Sequence, residues 1–198
     1  MLLENGEKTT RKIITMKINN ISKIMVIGFS GSGKSTISKM ISDILNIPVL
    51  YLDKVHWLPN WIENDAKTEC KIVSNFLKDN DSWVIDGNYS HMSYNERLES
   101  ADLIIFMNFS RFNCLFRAFK RLFKNRGKTR ESMADNCIEK VDFEFIKWIL
   151  WDSRKKSQTD NYKYAFEKYE DKVIIIKNQR EYDNFIDNFK SKYQVFKV

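Results

Sequence analysis

A glycine-rich turn between a predicted strand and a predicted helix constrains this chain more than any other feature. Residues 28–36 read Gly-Phe-Ser-Gly-Ser-Gly-Lys-Ser-Thr, which matches the pattern G-x-x-x-x-G-K-[ST]. The four residues before it are apolar, as in a buried strand. Apolar side chains then recur at helical spacing through residues 35–45. This order of elements predicts a phosphate-binding loop in preference to an ordinary glycine turn.

The residue types in the turn suit a triphosphate. Glycines let the main chain curl so that successive N–H groups converge on an anion, and the following helix adds its positive N-terminal dipole. Lys34 is expected to reach the β- and γ-phosphates, and the Ser35 hydroxyl to ligate Mg²⁺. We therefore predict that ATP and Mg²⁺ are bound here. The expected nucleotide contacts are Gly28, Ser30, Gly31, Ser32, Gly33, Lys34, Ser35 and Thr36.

Apolar runs alternate with helical patterns along the rest of the chain. Strands are predicted near residues 24–27, 49–53, 83–86, 103–107 and 173–176. Helices are predicted near 35–45, 65–78, 94–101, 111–124, 141–156 and 181–192, with an aromatic loop over 54–64. Strands that are almost continuously apolar indicate a parallel sheet covered on both faces, hence an α/β fold. The site is expected at the carboxyl ends of the strands.

The 198 residues are enough for one domain, which we expect to span 21–198. Residues 1–20 lack the long apolar core of a signal peptide and are expected to form a flexible extension, with Met16 as an alternative start. No apolar run approaches the ~20 residues of a membrane span, so no membrane partner is expected. These features predict a cytoplasmic protein.

Cysteine usage supports that location. The three cysteines, Cys70, Cys114 and Cys137, form no C-x-x-C pair and are expected to be reduced thiols. Since His56 and His91 are the only histidines, the sequence does not predict a zinc site.

The net charge of +7 is concentrated in one segment. Residues 1–110 carry 12 basic and 13 acidic side chains, whereas residues 111–198 carry 21 basic and 13 acidic ones. Eight positive charges without an acid lie within 111–130: Arg111, Arg117, Lys120, Arg121, Lys124, Arg126, Lys128 and Arg130. Such a block predicts an anionic partner.

The basic segment admits three interpretations. Arg117, Arg121 and Lys124 are spaced to share one helical face, opposite an apolar side formed by Phe112, Leu115, Phe116, Phe119, Leu122 and Phe123. The first interpretation is a mobile lid, over about residues 111–158, whose arginines close on phosphates. The second is a stripe that binds nucleic acid. The third is a solvated helix face. Arg154 to Lys156 are either helix-terminal charges or the far side of the lid.

Two acids follow predicted strands beside the phosphate loop. Asp53 ends the second strand and Asp86 the third. Both are therefore expected to point into the crevice, where either one can organise Mg²⁺ or accept a proton from an acceptor hydroxyl. The alternative is that they only begin loops or cap helices.

Together these segments resemble the adenylate-kinase-like P-loop kinases. Within that group, residues 51–57, 83–89 and 126–130 resemble bacterial DNA topology modulation proteins, and the resemblance spans about 23–190. It implies a three-layer P-loop NTPase fold, a five-stranded parallel sheet of order 2-3-1-4-5, ATP with Mg²⁺, and a helical lid carrying arginines. Arg126, Arg130 and Arg154 are the further arginines expected at the nucleotide.

The chain departs from adenylate kinases in the half expected to hold the acceptor. Adenylate kinases continue the third strand as Asp-Gly-Phe-Pro-Arg, whereas this chain reads Asp-Gly-Asn-Tyr at 86–89 and has no arginine between Lys12 and Glu96. Arginine is the preferred bidentate partner of a phosphate, so AMP is expected to be a poor acceptor. His56, Trp57 and Trp61 suit a ring or an apolar body instead, unless they only pack beneath the loop.

The leading hypothesis is an ATP-dependent kinase acting on a small hydroxyl compound, such as a nucleoside or a nucleotide-like molecule. Its catalytic residues are expected to be Lys34, Asp53, Asp86, Arg117 and Arg121, with Ser35 and Asp86 at the metal. An alternative is a nucleic-acid-binding regulator of DNA topology that ATP switches through residues 111–130. A third hypothesis is an ATPase without an acceptor.

Overall fold

The computed structural model describes residues 21–125 and 127–193. The expected extension over 1–20, with Met16, lies outside these residues, as does Arg126. The strands are β1 (Lys23–Gly28), β2 (Val49–Tyr51), β3 (Trp57–Leu58), β4 (Ile62–Glu63), β5 (Trp83–Asp86), β6 (Leu103–Met107) and β7 (Val173–Ile176).

The helices cover most of the remaining described residues. They are α1 (Lys34–Leu45), α2 (Leu52–His56), α3 (Ala66–Asp79), α4 (Tyr94–Ser100), α5 (Arg111–Lys124), α6 (Phe143–Leu150), α7 (Lys156–Lys168) and α8 (Gln179–Tyr193). Short 3₁₀ turns lie at Pro59–Trp61, Asp152–Arg154 and Glu170–Lys172. Among the described residues, no helix has the length and apolar character needed to cross a membrane.

Five strands form a parallel sheet in the spatial order β2-β5-β1-β6-β7. When only the strands of this sheet are counted, the order is second, third, first, fourth, fifth, as the resemblance implied. Nearly every residue of β1, β5 and β6 is buried, so both faces of the sheet are covered. The predicted three-layer α/β P-loop fold is confirmed. The central strands β1 and β5 end beside each other and so place the glycine-rich turn next to Asp86.

Two stretches differ from their predictions. The expected loop over 54–64 contains most of α2 and a two-stranded antiparallel hairpin, β3–β4. The helix expected over 141–156 ends at Leu150, and α7 was missed. Neither α2, with five residues, nor the two-residue strands are long enough to show a period. Helix α7 buries only Tyr162 and Ala165, which is too few apolar positions to predict a helix.

A buried arginine fixes the loop that follows β5. Arg97 of α4 is fully buried, and its three side-chain nitrogens donate to main-chain carbonyls. Nε donates to Met92 O at 2.8 Å, Nη1 to Gly87 O at 3.2 Å and Nη2 to Tyr89 O at 2.5 Å. Burial lowers the pKa of Arg97 to about 10, so the group still carries its charge at neutral pH. Arg97 therefore holds residues 87–92 through their backbone.

Replacement of Arg97 by methionine, which has similar bulk without donors, is expected to lower the free energy of unfolding by about 2–4 kcal/mol. The reason is that three buried carbonyls lose their donors. Urea unfolding followed by circular dichroism measures the loss. Glu96→Gln, an exposed change on the same helix, is the control and is expected to stay within about 0.5 kcal/mol. An R97M protein as stable as its parent would contradict this role.

Candidate active site

The main chain of residues 28–33 has a conformation that side chains would obstruct. Gly31 has a φ of 79° and Gly33 a φ of 100°, both in the left-handed region. The Cys114 carbonyl of α5 occupies the space that a Cβ at position 31 would need. A Cβ at position 33 would lie 2.9 Å from Nη1 of Arg117, which donates to Ser32 O at 2.6 Å. Helix α5 therefore packs directly against this loop.

Other side chains hold the loop from its flanks. Lys34 Nζ donates to Phe29 O at 3.2 Å, which places the ammonium group across the loop. Asn88 exchanges two hydrogen bonds with the main chain of Gly28, at 2.9 and 2.8 Å. Trp148 Nε1 donates to Ser30 Oγ at 3.1 Å. The loop is thus tied to the end of β5 on one side and to α6 on the other.

Asp86 is the buried acid of the site. It is 4% exposed, and its Oδ1 has no hydrogen-bond partner among the described residues. Burial raises the pKa of Asp86 from 3.8 to about 6, although the Lys34 charge and a hydrogen bond from Ser35 oppose the rise. A carboxylate oxygen without a partner beside a serine hydroxyl fits a hard cation such as Mg²⁺. Ser35 and Asp86, predicted as metal residues, are thus brought together.

Asp53 was expected to end the second strand, but β2 ends at Tyr51 and Asp53 lies in the first turn of α2, from which it faces the same site. The Tyr89 hydroxyl donates to Asp53 Oδ1 at 2.9 Å. Burial, together with the charge of Asp53, raises the pKa of Tyr89, so the phenol stays protonated and keeps donating. The charge of Asp53 also contributes to the raised pKa of Asp86. Both predicted acids therefore face one region.

One cleft of about 1710 Å³ is lined by residues of the glycine-rich loop and by Asp53, whereas Asp86 is buried and is not among the lining residues. Four side chains, which we call the aromatic wall, are linked through ring contacts: His56, Trp57, Trp61 and Tyr89. Ring centroids are 4.7 Å apart for His56–Trp57 and His56–Tyr89, and 5.4 Å apart for Trp57–Trp61. The cleft thus combines a phosphate loop, Asp53 and an aromatic surface.

The basic helix has the predicted bounds but a different orientation. The expected apolar side is wrong in part, because Phe112, Phe116 and Phe123 are 73%, 69% and 76% exposed. The buried positions are the small residues Cys114 and Ala118. Small side chains allow α5 to approach the glycine-rich loop closely, and this contact sets the rotation of the helix.

Two of the predicted lid arginines share a buried acid. Arg121 contacts Oε1 of Glu139 through Nε at 2.9 Å and through Nη2 at 2.7 Å. Arg130 Nε lies 2.6 Å from the other oxygen, Oε2. Burial and the neighbouring Arg130 charge lower the pKa of Arg121. Glu139, which is 8% exposed, thus holds both guanidinium groups at the cleft, which they line.

The remaining predicted cations occupy separate places. Arg117 and exposed Lys124 line the cleft, and Arg117 also bonds to Gln179 of α8. Arg154 is not among the cleft-lining residues. Its guanidinium lies 3.6 Å from the centre of the Phe29 ring, and Nη2 donates to Phe109 O at 2.7 Å. Arg154 therefore supports the loop from beneath, next to Phe29.

Four residues of the site were missed from the sequence: Asn88, Arg97, Glu139 and Trp148. Asn88 follows the Asp-Gly turn at the end of the third sheet strand. Because that strand neighbours the first strand in the expected sheet, its position could have indicated a contact with the glycine-rich loop. Glu139 lies nine residues beyond the basic block and has no local signal. Its role depends on the path of the chain after α5.

Comparisons with known proteins agree with the architecture. No protein-family profile and no curated protein sequence matches the chain. Among solved structures, shikimate kinase from Acinetobacter baumannii in complex with shikimate matches with a TM-score of 0.51 and 12% identity, over 93% of this chain and 99% of that one. The likeness shows the P-loop kinase fold. At this identity it shows the fold alone.

Two further solved structures match with lower scores. Deoxyadenosine kinase from M. mycoides has a TM-score of 0.43 and 15% identity, over 88% of this chain and 100% of that one. A gluconokinase from Sinorhizobium meliloti has a TM-score of 0.44 and 14% identity, over 88% of this chain and 94% of that one.

Replacing Asp86 by asparagine is expected to stabilise the protein without nucleotide. The raised pKa means that Asp86 contributes stability below about pH 4, where it is protonated, and that this contribution is lost as the pH rises through about 6. Asparagine does not titrate. The stability advantage of the variant should therefore grow from near zero at pH 4 to as much as about 3 kcal/mol at pH 8. Urea unfolding at both pH values measures it. A difference that does not change with pH would contradict the assignment.

Proposed function

We propose that this protein is an ATP-dependent kinase that phosphorylates a hydroxyl group of a small molecule. The observation that carries the proposal is the position of Asp86. A buried carboxylate with an unpartnered oxygen lies between the phosphate-loop residues Lys34 and Ser35 and the second acid, Asp53. Lys34, Ser35 and Asp53 line one cleft together with the aromatic wall, and Asp86 is buried beside them.

The nucleotide end of the site follows from the loop. Lys34 leaves Phe29 O and neutralises the β- and γ-phosphates, while the main-chain N–H groups of the loop hold the phosphate oxygens. Ser35 and Asp86 would hold Mg²⁺, which would supply positive charge to offset that of the phosphates. The proposed nucleotide contacts are those predicted from the sequence. Arg154 contributes through Phe29, since it does not line the cleft.

The transfer itself needs a positioned acceptor. We assign to Asp53 the role of orienting the acceptor hydroxyl and taking its proton as the oxygen attacks the γ-phosphorus. The bond between that phosphorus and the bridging oxygen breaks, and ADP leaves with the electron pair. Arg121 and Arg130, held by Glu139, stabilise the charge on the transferring phosphoryl group. Residues 111–158 act as the lid that excludes water.

The aromatic wall decides the class of acceptor in this proposal. Rings at His56, Trp57, Trp61 and Tyr89 suit a planar or apolar body, such as a nucleoside, better than a second phosphate group. The segment between Lys12 and Glu96 contains no arginine. Arg97, which follows it, is fully buried and donates its hydrogen bonds to main-chain carbonyl groups, so it does not contact an acceptor in this proposal. AMP is therefore expected to be a poor acceptor.

The basic helix gives little support to the hypothesis that the protein binds nucleic acid, because most of the expected stripe is engaged in contacts within the protein. Of the three cations expected to form a stripe, Arg117 bonds to Ser32 and Gln179, and Arg121 pairs with Glu139. Of these three, Lys124 alone is exposed, and it lines the cleft together with Lys120, which is also exposed. We therefore propose small molecules as the partners. All three cysteines are free, which supports the cytoplasmic location that we propose.

The first experiment measures ADP formation with ATP, Mg²⁺ and a panel of nucleosides, nucleotides, sugars and small acids. We expect at least one non-phosphorylated hydroxyl compound to accelerate ADP formation, and AMP to do so weakly. Lys34→Met should abolish turnover, and Asp53→Asn should lower kcat by about 10²–10⁴-fold while ATP affinity is retained. Lys71→Met, on the exposed side of α3, is the control.

The same measurements can reject the proposal. ADP formation that no acceptor accelerates would identify an ATPase, and robust phosphorylation of AMP would overturn the acceptor class. Absence of ATP and GTP binding by calorimetry, with Mg²⁺ at low ionic strength, would remove the basis of the proposal.

A second experiment addresses nucleic acid. We expect the parent protein to show no duplex-DNA affinity that falls steeply with salt. If such affinity appeared, and Lys124→Gln reduced the salt slope by about one, the regulator hypothesis would replace the kinase. Filter binding at several salt concentrations gives the slope.

A further inference from the structure

Three side chains outside the phosphate site converge on one point. His56 ends α2, Glu69 lies on α3, and His91 follows β5. Nδ1 of His56 lies 2.8 Å from Oε1 of Glu69, and Nε2 of His91 lies 2.5 Å from Oε2. Three separate segments of the chain thus bring their ligand atoms within 4.8 Å of one another.

The burial of these groups is uneven. Glu69 is 1% exposed, whereas the side chains of His56 and His91 are 18% and 44% exposed. Placing an ionised carboxylate in the interior is costly unless a cation or several donors compensate it. The chain has only two histidines, and both of their rings point at this one carboxylate. The cluster is therefore a buried acid with one largely covered imidazole, His56, and one more exposed imidazole, His91.

These donors form a set that transition metals prefer. Two imidazole nitrogens and one carboxylate oxygen are the ligands of one type of zinc site that keeps a fourth position open. Imidazole does not suit Mg²⁺, which takes oxygen ligands. The phosphate site offers the opposite set, a serine hydroxyl and an aspartate. The two sites are therefore expected to select different cations.

The geometry needs only a small adjustment. Metal–ligand distances of 2.0–2.2 Å in a tetrahedron separate neighbouring ligand atoms by about 3.4 Å. If Oε1 of Glu69 is the ligand, its distance from the His56 nitrogen must lengthen by about 0.6 Å; if Oε2 is the ligand, its distance from the His91 nitrogen must lengthen by about 0.9 Å. The other distances between ligand atoms, which are at most 4.8 Å, must shorten toward the same value. Rotation of the exposed His91 ring and a small shift of His56 provide this, while Glu69 stays in place. Both histidines line the cleft, so the open coordination position can hold water.

We propose that His56, Glu69 and His91 form a binding site for one Zn²⁺ ion. Each imidazole gives the nitrogen that now faces Glu69, and its remaining proton moves to the other ring nitrogen. The bound ion would link α2, α3 and the loop after β5, and would fix the His56 ring against Tyr89 and Trp57. The proposal does not depend on the kinase activity.

Zinc binding by a nearby cysteine must be distinguished from binding by the three proposed ligands. Cys70 follows Glu69 in the chain, and its Sγ donates to the main-chain carbonyl of His91 at 2.8 Å. Cys70 is not a member of the three-residue cluster. Its thiol can nevertheless bind zinc by itself, so Cys70→Ser is the matched control.

The experiment measures Zn²⁺ uptake by the full chain without nucleotide, using equilibrium dialysis and metal analysis. We expect one equivalent per chain in the parent and in C70S. His91→Ala should weaken binding by at least about 100-fold, since loss of a ligand costs more than loss of an outer partner. Glu69→Gln should do the same. If E69Q fails to fold, H91A decides the matter, because the His91 side chain is partly exposed.

Spectroscopy gives an independent readout. The ring signals of both histidines should shift together in an NMR titration with Zn²⁺, and Co²⁺ should give tetrahedral visible bands without a thiolate charge-transfer band. Loss of binding in C70S with retention in H91A, or a thiolate band, would overturn the proposal. So would the absence of stoichiometric uptake, in which case Glu69 is only a buried acid satisfied by two histidines.

Discussion

The contact between the glycine-rich loop and α5 is the constraint on which the rest of the structure depends. Position 31 has no room for a side chain because a carbonyl of α5 lies over it. Position 33 is similarly close to Arg117, which also holds Ser32. The shape of the phosphate loop and the position of the basic helix are therefore set by one contact. A shift of α5 would change the anion site.

The buried acid of the active site, Asp86, also lowers the stability of the folded protein when no ligand is bound. Burial of Asp86 raises its pKa to about 6, so the protein without ligand holds an ionised group at neutral pH in an environment that favours the neutral form. Lys34 and Ser35 compensate this only in part. Strain of this kind concentrates at functional sites, where a ligand relieves it. A cation that binds here also relieves the electrostatic cost of the fold.

Local patterns in the sequence predicted the parts of the molecule that depend on neighbours in the chain. The loop at 28–36, the sheet strands and the bounds of α5 all follow from short-range spacing. The approach of Asp53 to Asp86 followed in part from the rule that parallel strands end at one edge, although Asp53 lies in the helix that follows β2 and not in the strand itself. These features need no knowledge of distant contacts.

The parts that were missed depend on tertiary contacts. Glu139 meets Arg121 across 18 residues, and Glu69 meets His56 and His91 across 13 and 22. No spacing rule connects such positions. The exposed phenylalanines of α5 were misassigned for the same reason, because the glycine-rich loop accepts only the side of the helix with small residues. The sequence did not predict a zinc site because only histidines and cysteines were counted, and that count left out Glu69, whose carboxylate lies between the two histidines.

The hydrogen bonds of Arg97 have a consequence for how this protein can evolve. They hold residues 87–92 entirely through main-chain oxygens, which every amino acid possesses. Mutations at Tyr89 or His91 can therefore alter the chemistry presented to a ligand while the path of the chain stays the same. A loop anchored in this way can acquire a new preference through substitutions of its side chains, without a change in the three hydrogen bonds that fix its path.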